Sequence, residues 1–255
     1  MYILIFLLGM IIGSFLNICI YRIPKIESIV FPESHCIHCS TPLKCYNLTS
    51  VLKFLFLKGK CRFCEGKIIP QFPIVECLNG LIYLILFYYF ELSLEFIYYS
   101  SIISILIMIS VIDYYHQIIP DFLLFLIIII TVSYTLINYF IIRKSILLID
   151  SIIGFFAAGF FFILIALISN GGMGGGDIKL ISILGFILGL KKIVLNIVLS
   201  FIIGAIVSIF LLLSRKKSRK DPIPFGPFIN ISFIISILWG EPLIQFYINS
   251  ICKYI

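Results

Sequence analysis

Two aspartates stand at the ends of long apolar runs, and their type and placement suit acid–base chemistry. Asp113 closes one run, in Ile112-Asp113-Tyr114-Tyr115-His116-Gln117-Ile118-Ile119-Pro120-Asp121. Asp177 opens another, in Gly171-Gly172-Met173-Gly174-Gly175-Gly176-Asp177-Ile178-Lys179-Leu180. A carboxylate at the edge of a bilayer is costly to hold, so it marks a functional position by default. Two of them can share one proton: one takes a proton from water while the other, protonated, donates to a carbonyl. Simpler roles compete at each position. Asp177 follows glycines and starts a helix, so it could serve as an N-cap, although five glycines in residues 171–177 are more than a cap needs. Asp121 follows Pro120 and is expected to cap the next helix. Asp113 has no such role, because it sits at a helix C-terminus, where the dipole disfavours an anion. The glycine run is not a phosphate loop: no Gly-Lys-Ser/Thr follows it and no strand precedes it.

The second chemical cluster is made of cysteines. Cys36-Ile37-His38-Cys39 and Cys61-Arg62-Phe63-Cys64 form C-x2-C-x21-C-x2-C. Each pair places two thiolates on one tight turn, which suits tetrahedral Zn²⁺. Four thiolates leave no open coordination position, so the expected zinc is structural. About fifty residues make a small core, and a metal staple compensates for that. Two unrelated or redox-active pairs are the alternative. Cys45, His35 and His38 lie nearby as substitute ligands, whereas Cys19, Cys77 and Cys252 adjoin apolar spans and read as small hydrophobes.

These groups must be positioned by membrane helices. Of the 255 residues, 62% are hydrophobic and 12% charged, with a mean hydropathy of +1.19. Soluble domains carry about 25% charged residues. The pattern predicts an all-α polytopic membrane protein. About eight spans are expected, at 2–20, 73–90, 95–112, 121–142, 148–168, 178–190, 191–213 and 228–250. Lys191-Lys192 is the only break between the sixth and seventh, and a count of seven follows if these are one helix. The run from Met1 to Ile20 lacks a basic n-region and an Ala-x-Ala-like cleavage site, so it is expected to be a retained helix.

Basic residues set the expected orientation. With the N-terminus outside, fourteen Lys and Arg fall on the cytoplasmic side and five on the other. Both aspartates then lie at the cytoplasmic boundary, whether the count is seven or eight. The net charge of +7 is accounted for by this bias. No polar domain interleaves basic and stacking aromatic residues, which argues against nucleic acid. The expected division is a first helix at 1–20, a cytoplasmic four-cysteine zinc-knuckle domain at 21–72 and a membrane domain at 73–255.

Taken together, the ordered motifs resemble the bacterial type IV prepilin leader peptidases, membrane aspartyl proteases of the Gly-x-Gly-Asp type. The match runs from Gly13-Ser14-Phe15-Leu16-Asn17 and Tyr21-Arg22-Ile23-Pro24 through both Cys pairs and Phe72-Pro73-Ile74-Val75-Glu76. It continues through Asp113, Ile119-Pro120-Asp121 and Gly174-Gly175-Gly176-Asp177-Ile178-Lys179-Leu180, and ends at Ile223-Pro224-Phe225-Gly226-Pro227-Phe228. The resemblance implies a catalytic pair of Asp113 and Asp177, with Gly174, Gly175 and Gly176 as an active-site loop. It implies cleavage of prepilin or pseudopilin leaders after a glycine, at the cytoplasmic face of the inner membrane. It also implies that the zinc-knuckle segment belongs to members that methylate the new N-terminus with S-adenosylmethionine. Glu76 and Gly80 match positions tied to that second activity. The stretches 34–35 and 45–50 depart from the family pattern within that segment. Two other readings stand beside this one. The first is a Gly-x-Gly-Asp intramembrane protease for another substrate class. The second is an ion-coupled carrier using Asp113 and Asp177, although no repeated broken helices support it.

Overall fold

The computed structural model describes residues 1–28, 64, 70–142, 148–169, 172–215, 218 and 221–252. Among the described residues there are helices and turns but no strand. The helices are α1 (Tyr2–Arg22), α2 (Gln71–Phe90), α3 (Leu94–His116), α4 (Asp121–Ile137), α5 (Leu148–Ile168), α6 (Gly175–Leu213) and α7 (Gly226–Cys252). A short 3₁₀ turn, Ile23–Lys25, follows α1, and a π turn, Asn138–Ile142, follows α4. The chain divides into two compact units, Met1–Met108 and Ile109–Ile255, with α3 running through the boundary.

In the first unit, α1 and α2 approach backbone to backbone. A Cβ at Gly13 would lie 2.7 Å from the Glu76 Cα, and one at Gly9 would lie 2.8 Å from the Gly80 Cα. Lipid tails give helices no hydrophobic reason to associate, so close packing of small residues and interhelical hydrogen bonds do the work. Asn79 makes those bonds. Its Nδ2 donates to the Gly9 carbonyl at 2.7 Å, and its Oδ1 accepts from Ser104 Oγ at 3.0 Å. Tyr83 joins the group through Ser104 at 3.2 Å, and Asn17 Nδ2 donates to the Phe72 carbonyl at 3.0 Å.

In the second unit, α5 lies along α6, with Gly154 seated on Gly185 and Gly159 on Ser182. Helix α6 also packs against α7. Phe162, Phe201, Phe225 and Phe228 join α5, α6 and the start of α7 through ring pairs at 5.3–6.1 Å.

Seven helices among the described residues are long and apolar enough to cross a membrane, against an expectation of about eight. The difference arises at one place. The expected spans 178–190 and 191–213 are both parts of α6, which has 39 residues. A straight helix of that length would reach about 58 Å, nearly twice the hydrocarbon thickness of about 30 Å. The helix is instead broken at Gly189, where φ is 71° and ψ 175°. The break precedes Lys191-Lys192, which lie within helix, and Lys192 pairs with Glu241 at 3.6 Å.

Asp150, in the first turn of α5, stabilises the break. Its Oδ1 accepts the Leu190 N–H at 3.3 Å, and its Oδ2 fills the space a Cβ at Gly189 would need. Gly189→Ala is therefore expected to destabilise the protein in detergent by at least about 1–3 kcal/mol, the usual cost of a non-glycine residue in such a conformation. Thermal unfolding of the purified variant checks this, and an unchanged melting temperature would contradict the role given to the break.

Candidate active site

Asp113 lies one turn before the end of α3, which closes as Gln117 takes a positive φ of 55° and donates its N–H to the Asp113 carbonyl at 2.9 Å. The side chain is 5% exposed. Its Oδ2 accepts the backbone N–H of Gly226, the first residue of α7, at 3.0 Å. That N–H is one of the donors that a helix start leaves unsatisfied. The contact also resolves the electrostatic difficulty seen in the sequence. The C-terminal end of α3 disfavours an anion, and the N-terminal end of α7 favours one. Gly226 is required by space: a Cβ there would sit 2.7 Å from Asp113 Oδ2. Phe225, the residue before this helix start, is held in the ring cluster.

Asp177 is the third residue of α6, not its cap. Gly174 occupies the cap position with extended backbone, and its carbonyl accepts the Asp177 N–H at 3.1 Å. The Asp177 carboxylate bonds back to the Gly174 backbone, in the manner of the third-position acid of a capping box. Its Oδ1 is buried and has no hydrogen-bond partner. Gly175 and Gly176, expected in a loop, form the first turn of the helix. The use of Gly176 is close approach, since a Cβ there would lie 2.8 Å from the Ile119 Cβ.

Asp113 and Asp177 are brought near enough for the charge of one to act on the other. The turn between α3 and α4 lies against the same helix start. Asp121, expected to cap α4, is the first residue of that helix and makes no capping bond. It pairs instead with Lys179, whose Nζ reaches Oδ1 at 2.8 Å and Oδ2 at 2.9 Å. The residues that the sequence reading did not single out are Gly226 as a hydrogen-bond donor, Lys179 as a partner of Asp121, and Asp150. Only the Ile223–Phe228 motif and the charge at Lys179 hinted at the first two.

Glu76 and Gly80 fall in the first unit. Glu76 is fully buried, with its Cα against Gly13. Gly80 faces the Phe6 ring, at 2.8 Å from where its Cβ would stand. Cys36, Cys39 and Cys61 lie outside the described residues, and Cys64 is exposed. Among the described residues no three His, Cys, Asp or Glu side chains gather to hold a metal.

Two family models match in order. The bacterial peptidase A24 N-terminal domain covers residues 7–90, and the type IV leader peptidase family covers residues 100–209. A prepilin leader peptidase/N-methyltransferase of Bacillus subtilis (strain 168) is 34% identical over 246 residues, covering 96% of this chain and 97% of that protein. A protein of the same name from Legionella pneumophila is 31% identical, covering 98% and 95%. One from Pseudomonas aeruginosa is 28% identical, covering 95% and 92%. No solved structure matches the chain. Seven membrane-length helices among the described residues, near-full coverage by relatives above 30% identity and both domain models in sequence lead to one conclusion: this chain is a multi-pass membrane enzyme that belongs to the type IV leader peptidase family.

Proposed function

We propose that the protein cleaves the leader of type IV prepilins or pseudopilins after a glycine, with Asp113 and Asp177 as its catalytic pair. What supports this reading is that Asp113, near the end of α3, and Asp177, in the first turn of α6, lie near enough for the charge of one to act on the other. Two adjacent carboxylates cannot both ionise cheaply, so the pair retains one proton. The ionised member takes a proton from water as the water attacks the scissile carbonyl. The protonated member donates its proton to the carbonyl oxygen; the proton taken from water is then passed to the leaving amine as the C–N bond breaks, and the intermediate's hydroxyl returns a proton to the pair. The buried, unpartnered Oδ1 of Asp177 is an atom that such a proton or water would satisfy.

The basic loops favour an inner-membrane protein with the N-terminus outside and the pair facing the cytoplasm. That is the side on which a basic leader would remain while the apolar helix of the substrate lies in the bilayer. Residues 21–72 would form the zinc-knuckle domain. Cys36, Cys39, Cys61 and Cys64 would hold a closed, structural Zn²⁺ that stiffens a small domain.

The second activity is N-methylation of the new N-terminus, supported by the names of the relatives and by the matched N-terminal domain. S-adenosylmethionine, when bound, supplies the methyl group as a sulfonium cation. Glu76 carries the only fully buried carboxylate among the described residues of the first unit, a donor type suited to a cationic group. Its place against Gly13, and the cover of Phe6 over Gly80, make the α1–α2 packing a condition for orienting that carboxylate.

Mass spectrometry of a prepilin peptide incubated with the detergent-purified enzyme and S-adenosylmethionine tests both halves. The expected product begins at the residue after the glycine and carries one added methyl. A missing cut would overturn the peptidase reading, and a cut product with a free amine would remove the methyltransferase half. Because detergent leaves no sealed membrane, cleavage there also separates a protease from a carrier.

A further inference from the structure

We propose that Asp121 and Lys179, together with the seat of Ile119 on Gly176, form a clamp that positions Asp177 for the reaction; this rests on the catalytic pair proposed above. Both contacts leave the same short turn. Ile119 and Asp121 flank Pro120, whose ring holds φ at −66°. Both land on the first turns of α6, on either side of the carboxylate: Gly176 directly before Asp177 and Lys179 two residues after it. Two attachments from one stiff turn restrict both the rotation and the sliding of a helix start, which a single contact would not do.

The chemistry of the pair suits this task. Lys179 meets both carboxylate oxygens of Asp121, at 2.8 and 2.9 Å, so the bond has a direction as well as a charge. The two side chains are 57% and 72% exposed, far more than the buried Asp113, and are positioning residues rather than catalytic ones. An exposed ion pair of this kind adds little to global stability. Its effect should appear in placement, where an error of about 1 Å at a reacting group can cost about 100-fold in rate. Lys179 also lies near the N-terminal end of α6, where a cation is disfavoured, and Asp121 offsets that charge.

Charge reversal tests the clamp. The kcat and KM for a prepilin peptide are measured for Asp121→Lys, Lys179→Asp, the reversed double variant and the conservative Lys179→Arg. Each single reversal is expected to lower kcat about tenfold at unchanged KM and melting temperature. The double variant should return to within about threefold of wild type, because the pair is rebuilt with its charges exchanged. Lys179→Arg should stay near wild type. Single variants with full kcat, or a double variant no better than the worse single, would overturn the clamp. Asp177→Asn run in parallel separates the two proposals. If it is inactive while reversal brings no recovery, only the clamp fails; if it cleaves normally, the catalytic pair fails and the clamp loses its object.

Discussion

Replacing Asp113 or Asp177 by Asn is expected to lower leader cleavage by about 10²–10⁴-fold, the range for loss of a general acid or base. Folded protein should remain at its normal level. The Asn carbonyl at position 113 can still accept the Gly226 N–H, and the one at 177 can still bond the Gly174 backbone. What disappears is the shared proton. A catalytic pair that acts as a unit, as proposed, requires the double Asn variant to be about as slow as either single one. Alanine is the less informative substitution at 113, because it leaves the buried Gly226 N–H unsatisfied and costs about 1–3 kcal/mol of stability in addition. The measurement is the rate of peptide cleavage at matched amounts of folded enzyme. A normal rate in either Asn variant would remove that residue from the chemistry.

The second large effect is expected at Gly226, which touches no substrate in this reading. An alanine methyl there would press on Asp113 Oδ2 from 2.7 Å, closer than any Cβ contact allows. Either α7 withdraws or the carboxylate turns away, and both break the 3.0 Å bond that orients it. We expect Gly226→Ala to lower kcat about 100-fold with little change in KM, the signature of a misplaced reacting group. Gly226→Val should be worse and should also lower the melting temperature, since it overpacks the contact between α3 and α7. Kinetics and thermal unfolding of the two variants check this. Full activity in Gly226→Ala would mean that the end of α7 does not set the geometry of Asp113.

Both effects begin at residues the sequence marks unequally. Asp113 and Asp177 stand out because a carboxylate beside an apolar run is an energetic anomaly, and an anomaly needs no structure to be noticed. Gly226 is visible only as one letter in Ile223-Pro224-Phe225-Gly226-Pro227-Phe228. Its use depends on a contact 113 positions away in sequence. Asp121 shows the same limit from the other direction. Its place after Pro120 reads locally as a cap, but a lysine 58 positions away makes a better partner than its own helix backbone.

The break in α6 is a case between the two. The lysines at 191 and 192 mark an interruption close to the one that α6 has at Gly189. The position of the break was set by Asp150 of another helix, which occupies the space beside Gly189 and bonds the next N–H. A local reading favours charge as the interruption, because charge is costly in lipid. The fold places it at the residue that tolerates a positive φ and has a carboxylate waiting beside it.

By itself, then, the sequence determined the solvent, the approximate spans, the helical class and the two carboxylates. Each of these follows from the free energy of transferring a short segment from water to lipid, which is a local property. It did not determine which helix ends meet. These helices are apolar on nearly every face, so no stripe tells a packed side from a lipid-facing one. Partners are chosen by close packing at Gly154 with Gly185 and by bonds such as Gly226 to Asp113. Those contacts exist only when several helices are present together, and the tertiary structure alone decided that two aspartates distant in sequence come near enough for one charge to act on the other.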